Sequence, residues 1–192
     1  MSAAGLNPPA PMPENAPMTM QPDPITNALA YQRMLLGALG DDDPADVQSV
    51  GPANARALVQ EAGADLRTRP APREWSVLLC LAHMADGELV MSGRYRWVLA
   101  HDRPELIGYD QDLWVDNLHG HDEDPEDLLS QYGSLRAANV KLWRSTNETQ
   151  RARVAVHRER GEESYDLMFR MLAGHDRVHL AQARRALEAV RR

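Results

Sequence analysis

Two histidines near the C-terminal end of the chain have the spacing of a pair of metal ligands. His175 and His179 lie four residues apart in the segment 172–182, LAGHDRVHLAQ. Residues four apart in an α-helix share one face about one turn apart, so both imidazoles can reach one ion. The same face continues in apolar residues and therefore points inward: Tyr165, Met168, Leu172, Ala183, Ala186 and Val190.

His83 is the expected third ligand. It interrupts the apolar run WSVLLCLAHMA at 75–85, which predicts a helix in the middle of a core. Three neutral imidazoles leave a coordination position open, as catalytic metal sites do. The alternative is a bundle without metal, in which these histidines are hydrogen-bonded core residues.

Several residues are expected beside these ligands. Cys80 and Asp86 lie one turn before and one turn after His83, and Gln182 follows His179. Cys80 is expected to be a buried thiol rather than a ligand. Asp86 is expected to accept a hydrogen bond near the metal or to pair with Arg136. Asp176 follows His175 and could orient a ligand, but a solvent-exposed position is expected at least as strongly.

Other histidines lie in two predicted loops. His157 is in the loop 149–163, which is expected to cross one end of a bundle, where His157 can serve as acid, base or substrate contact. With Arg136 it is the nearest predicted contact for an anionic substrate. His119 and His121 lie in an acidic loop and are expected to be solvated.

The elements that must position these residues are all helical. Asp124 followed by Pro125, and Ser164, are good helix N-terminal signals. Long loops are expected at 101–124 and 149–163, and no strand is predicted. The fold class is therefore all-α, with the major helices forming a four-helix bundle. The predicted helices are 25–39, 52–64, 73–100, a short one at 111–117, 125–148 and 165–190.

Charge and cysteine content argue against several kinds of binding partner and cellular location. The 192 residues carry a net charge of −7, which argues against nucleic acid or an anionic membrane as partner. Cys80 is the single cysteine, so no internal disulfide forms and a cytoplasmic location is expected. Residues 1–24 are rich in proline and lack a signal peptide pattern, and no apolar run is long enough to span a membrane. We expect a disordered tail at 1–24 and one domain at 25–192.

Three segments together resemble the DinB-like (YfiT-like) superfamily of metalloenzymes. They are EWSVLLCLAHMADGE at 74–88, SLRAANVKLW at 134–143 and GHDRVHLAQ at 174–182, supported by the loop histidine in VHRERG. The resemblance covers about residues 25–190. It implies an up-down-down-up four-helix bundle, often a homodimer, with a divalent metal on three histidines. His83 matches the histidine of the second helix, and His175 and His179 match the pair on the fourth.

The resemblance also implies a range of activities. Members include thiol-S-transferases that use bacillithiol or mycothiol, a thiol-dependent maleylpyruvate isomerase, and proteins that look like hydrolases. We therefore expect a divalent transition metal (zinc, nickel or iron) that activates a low-molecular-weight thiol or a water toward a small-molecule substrate. The alternative is a non-catalytic, stress-associated dimeric bundle with a structural metal, closed by a fourth ligand such as Cys80 or Asp86.

Overall fold

The computed structural model describes residue 22 and residues 26–120 and 123–192. The predicted tail at 1–24, apart from Pro22, and His121 lie outside the described residues. No helix in the described part of the chain is both long enough and apolar enough to cross a membrane.

Helices dominate the described residues, with one small sheet. The elements in chain order are α1 (Ala28–Leu39), α2 (Pro44–Ala62), α3 (Val77–Ala100), β1 (Glu105–Leu106), α4 (Gln111–Leu118), α5 (Pro125–Arg144), α6 (Glu148–Arg151), β2 (Val154–His157), β3 (Gly161–Ser164) and α7 (Tyr165–Val190).

Helices α2, α3, α5 and α7 form the predicted four-helix bundle, in which α2 and α3 lie on one diagonal and α5 and α7 on the other. Helix α5 runs antiparallel to α2 and parallel to α3, and α7 runs antiparallel to α3, so the connectivity is up-down-down-up. The side-chain contacts that establish these directions are Arg56–Glu126 and Arg144–Asp46 for α2 with α5, Arg136–Glu88 and Asn139–Ser92 for α3 with α5, and His83–His175 and Tyr95–Tyr165 for α3 with α7.

The start of α2 differs from the prediction. The Asp43 side chain accepts hydrogen bonds from the amides of Ala45 and Asp46, and Pro44 occupies the first helical turn. The predicted start at Pro52 is wrong, since Pro52 lies inside this helix. The helix ends at Ala62, where Gly63 adopts a positive φ of 52°.

The last helix begins where the sequence places it. The Ser164 hydroxyl accepts a hydrogen bond from the Leu167 amide at 3.0 Å, and the helix runs to Val190 as predicted. Helix α5 also starts at Pro125, but it ends at Arg144 rather than near Glu148. Glu148 instead opens the separate short helix α6, which Asn147 caps.

The expectation that no strand is present is wrong. Strands β2 and β3 form an antiparallel hairpin closed at Gly161, whose φ of 79° suits glycine, and β1 pairs with β2 in parallel. In β2 the side chains of Ala155 and His157 point inward while their neighbours are half-buried. The hairpin therefore fixes His157 on an inward face, which an irregular loop would not do.

Helix α1 packs lengthwise against α7 at Gly174. A Cβ built on Gly174 would overlap the carbonyl oxygen of Leu35 and lie 2.6 Å from its carbonyl carbon. Only a residue without a side chain lets the two backbones come this close. Gly174 immediately precedes His175, so this contact also sets the distance between α1 and the part of α7 that carries His175.

Gly174→Ala should therefore lower the free energy of unfolding by about 3 kcal/mol, because the α1 backbone must move away. Gly37→Ala is the matched control. A Cβ at Gly37 meets no atom within 4 Å, so this variant should gain about 0.5–1 kcal/mol from helix propensity. Urea unfolding followed by circular dichroism measures both. Equal stability of the two variants would contradict the close packing of α1 on α7.

Candidate metal centre

Three histidines from two helices converge inside the bundle. His83 comes from α3, and His175 and His179 come from α7; one ring nitrogen of each lies within 4.8 Å of the others. The distances between ring centroids are 4.3–4.8 Å. All three side chains are buried, with His83 and His179 each 1% exposed. The structure thus brings together the three residues that the sequence predicts as ligands.

Hydrogen bonds and ring contacts orient these imidazoles. His179 Nδ1 lies 2.9 Å from Gln182 Oε1, and donation at this contact leaves the lone pair of His179 on Nε2. The Nε2 atoms of His83 and His175 lie 2.9 Å apart. The Trp75 ring covers His83 and His179 at centroid distances of 5.0 and 6.0 Å.

The electrostatic environment keeps the three imidazoles neutral. Burial lowers the pKa of His83 and of His175 well below the ordinary value, and the charges of their histidine neighbours lower them further. Burial lowers the pKa of His179 to about 4, although the Gln182 hydrogen bond opposes this shift. A neutral imidazole is the form that binds a metal ion, so the cluster needs to release little or no proton on binding.

The donor set fits a divalent transition metal. Within the described residues, His175 Nδ1 and His179 Nε2 are buried and have no hydrogen-bond partner. An uncompensated polar atom in a protein interior costs free energy, and coordination would remove that cost for the nitrogen that binds the ion. Three imidazoles and no carboxylate suit zinc, nickel or iron better than magnesium or calcium.

Cys80 and Asp86 do not belong to this cluster. Cys80 is fully buried among apolar side chains of α2, α3 and α7, and burial raises the pKa of its thiol to about 12. This position matches the expected buried thiol. The Asp86 carboxylate accepts a hydrogen bond from His119 Nε2 at 2.6 Å and makes no ion pair with Arg136.

His119 is not solvated, contrary to the prediction. Its side chain is 7% exposed, and Nδ1 lies 2.6 Å from Glu123 Oε2 on the side opposite Asp86. Burial alone would lower the pKa of His119, but the hydrogen bonds and charges of the two carboxylates raise it above its ordinary value. The segment after α4 is thereby attached to α3 one turn beyond His83. An acidic loop sequence does not reveal which carboxylates a histidine will contact.

Arg136 lies in a buried ion network. It is 1% exposed, and it donates to Glu88 Oε2 at 2.8 Å, to both oxygens of Asp176 and to the carbonyl of Gln48. The expectations of a solvated Asp176 and of an Asp86–Arg136 pair are therefore wrong. The predicted role of Arg136 in orienting an anionic substrate does not fit either, because two carboxylates already occupy its guanidinium.

A cavity opens beside the histidine cluster, and His175 forms part of its wall. His157 lies in the same wall, as the sequence leads us to expect, and is 2% exposed. Burial, and next the charge of Arg160, lower the pKa of His157 to about 4, so this imidazole is neutral at physiological pH. Arg94 and Arg160 also line the cavity.

The sequence analysis missed Arg94 and Arg160 as site residues. A signal for Arg94 exists, because Gly87, Met91 and Arg94 follow His83 at steps of four, four and three along one helix face. No such signal exists for Arg160, which depends on the turn of the hairpin.

An up-down-down-up four-helix bundle with three inward histidines on two of its helices defines the class of this protein. Residues 49–183, well over half of the chain, match the DinB superfamily, and the chain belongs to that family. It is similar in structure to YfiT from Bacillus subtilis, described as a probable metal-dependent hydrolase with an unusual four-helix bundle topology. The two share 21% sequence identity at a TM-score of 0.69, over 77% of this chain and 84% of YfiT. No curated protein matches the sequence.

Removing the cation from the buried ion network should be strongly destabilising. Arg136→Met leaves the Glu88 and Asp176 carboxylates without a cation, and it should lower the free energy of unfolding by about 3–5 kcal/mol. Arg56→Met removes an exposed ion pair with Glu126 and should cost less than about 1 kcal/mol. Chemical denaturation measures both. If the Arg136 variant lost no more than the Arg56 variant, the network would not hold the bundle together.

Proposed function

We propose that this chain is a metal-dependent enzyme that acts on a small molecule, as a hydrolase or as a thiol-S-transferase of the bacillithiol or mycothiol type. The observation that carries the proposal is the position of His175. It belongs to a buried cluster of three neutral imidazoles and also to the wall of a cavity, so the cluster has a side that a small molecule can approach.

His83, His175 and His179 would hold the metal, which would be zinc, nickel or iron. A divalent ion at such a site acts as a Lewis acid and lowers the pKa of a thiol or a water. Gln182 would fix the orientation of His179, and the Trp75 ring would shield His83 and His179 from water.

His157 would contact the substrate from the cavity wall. Its Nδ1 lies 3.0 Å from Glu159 Oε2, and its Nε2 lies 3.4 Å from Arg94 Nη2. A guanidinium only donates, so Arg94 donates to Nε2, and the Glu159 backbone amide is a further donor to Nδ1 at 3.3 Å. These contacts hold the neutral imidazole in the cavity wall beside Arg94, where its ring can meet a bound molecule.

The alternative, a non-catalytic dimer with a structural metal, has less support. A structural site is closed by a fourth protein ligand. Cys80 is a buried thiol with a raised pKa, and Asp86 is engaged by His119, so neither offers that ligand. Homodimer formation is compatible with either function and remains part of the proposal.

Metal content tests the first step. Untagged protein reconstituted with zinc should bind about one equivalent per chain, because three buried neutral imidazoles form one site. His179→Ala should bind less than about a tenth of an equivalent, while His101→Ala, which removes an exposed histidine, should bind as the wild type does. Elemental analysis after dialysis measures all three. Equal zinc in the two variants would rule the site out.

Activity separates the two proposed reactions and the structural alternative. Metal-loaded protein is assayed with activated esters and amides, and with bacillithiol or mycothiol plus an electrophile. Turnover that chelation abolishes, with little loss of thermal stability, supports the enzyme. No turnover, together with a large fall in melting temperature on chelation, supports the structural metal.

A further inference from the structure

We propose that Arg94 binds the carboxylate of a small, largely apolar substrate in the cavity beside His175. The inference deepens the proposed function by naming the substrate class. It rests on that function only in taking this cavity as the substrate site.

Arg94 is a buried cation without a counter-ion. It is 4% exposed, and none of the ion pairs in the described part of the chain includes it. Its donors meet only neutral acceptors: the Ile107 carbonyl at 2.6 Å, His157 Nε2 at 3.4 Å and Met91 Sδ at 3.8 Å. A buried charge that lacks a partner is destabilising, and an anionic ligand would remove that cost.

The other arginine that lines the cavity and the buried arginine of the ion network do have carboxylate partners. Arg136 has Glu88 and Asp176, and Arg160 donates to both oxygens of Glu163 at 2.5 and 3.0 Å. Arg94 is thus the exception. Because it lines the cavity, a ligand there can supply the missing charge.

The two charged side chains that act most strongly on Arg94 are Arg160 and Glu163, which pair with each other. Burial lowers the pKa of Arg94, and the charge of Arg160 lowers it further, while Glu163 and two tyrosines oppose the shift. With Arg160 paired to Glu163, one guanidinium charge remains to be balanced. A monoanion such as a carboxylate matches that charge, and its two oxygens match the planar fork of the guanidinium.

Most of the remaining cavity wall suits an apolar body on the same molecule, and Tyr31, Tyr109 and Gln111 add three polar side chains to it. The side chains of three methionines and two leucines line it: Leu35, Met91, Met168, Met171 and Leu172. A leucine side chain forms no hydrogen bonds and a methionine sulfur accepts only weakly, so these side chains favour an apolar chain. Since Arg94 and His175 belong to the same wall, a carboxylate held by Arg94 would leave the body of the substrate beside the histidine cluster.

Calorimetry on chelator-treated protein tests this, because removal of the metal prevents it from binding a carboxylate directly. The probes are hexanoate and hexanamide, which share their shape but differ in charge. The wild type should bind hexanoate at least about tenfold more tightly than hexanamide, as expected for a buried bidentate ion pair. Arg94→Met should abolish this preference while the affinity for hexanamide changes little.

Arg153→Met is the matched control. Arg153 also donates to two backbone carbonyls, those of Val98 and His101, but it does not line the cavity, so this variant should keep the preference for hexanoate. Arg94→Gln, which retains a donor for Ile107, serves as a second variant if Arg94→Met does not fold. Equal binding of acid and amide by the wild type, or an unchanged preference in the folded Arg94 variant, would overturn the proposal.

The metal and the carboxylate site can fail separately. A wild type that binds no zinc but prefers hexanoate through Arg94 would refute the metal-dependent function and support the carboxylate site. A wild type that binds zinc at the three histidines but does not distinguish acid from amide would refute the carboxylate site alone.

Discussion

The buried ion network around Arg136 is the interaction on which the rest of the structure depends. Arg136 comes from α5, and its partners Glu88, Asp176 and the Gln48 carbonyl come from α3, α7 and α2. One guanidinium therefore joins all four helices of the bundle. Its directional donors constrain the rotation and the axial position of each of these helices where they meet Arg136.

The network also fixes the histidines. Asp176 follows His175 directly on α7, and Glu88 lies five residues after His83 on α3. A shift of either helix large enough to separate the imidazoles would break a buried charge–charge hydrogen bond. The histidine cluster and the ion network are consequently one structural unit, with compensated charges in the network and neutral nitrogens in the cluster.

The main features of fold and site follow from periodicity and capping. The apolar stripe through His175 and His179 predicts their inward direction, and Ser164 predicts the start of α7. These signals are local, so the sequence alone carries them. The three-histidine set could be inferred for the same reason, since each member lies on an apolar helix face.

The features that the sequence did not predict depend on contacts between distant segments. The packing of α3, α5 and the segment after α4 decides which carboxylates pair with Arg136. It also brings His119 into contact with Asp86. The hairpin was missed because strands of four residues give little periodic signal. Arg94 was missed because it stands out only by lacking a carboxylate partner among the described residues. Only the packed structure shows which side chains surround it.

X-ray absorption at the zinc edge of the reconstituted protein tests the three-histidine centre most directly, because it reports the atoms bound to the ion. The structure predicts about three imidazole nitrogens at about 2.0–2.1 Å, with the remaining scatterers nitrogen or oxygen. A sulfur scatterer at about 2.3 Å, which would require Cys80, or fewer than about two imidazoles, would contradict the centre formed by His83, His175 and His179.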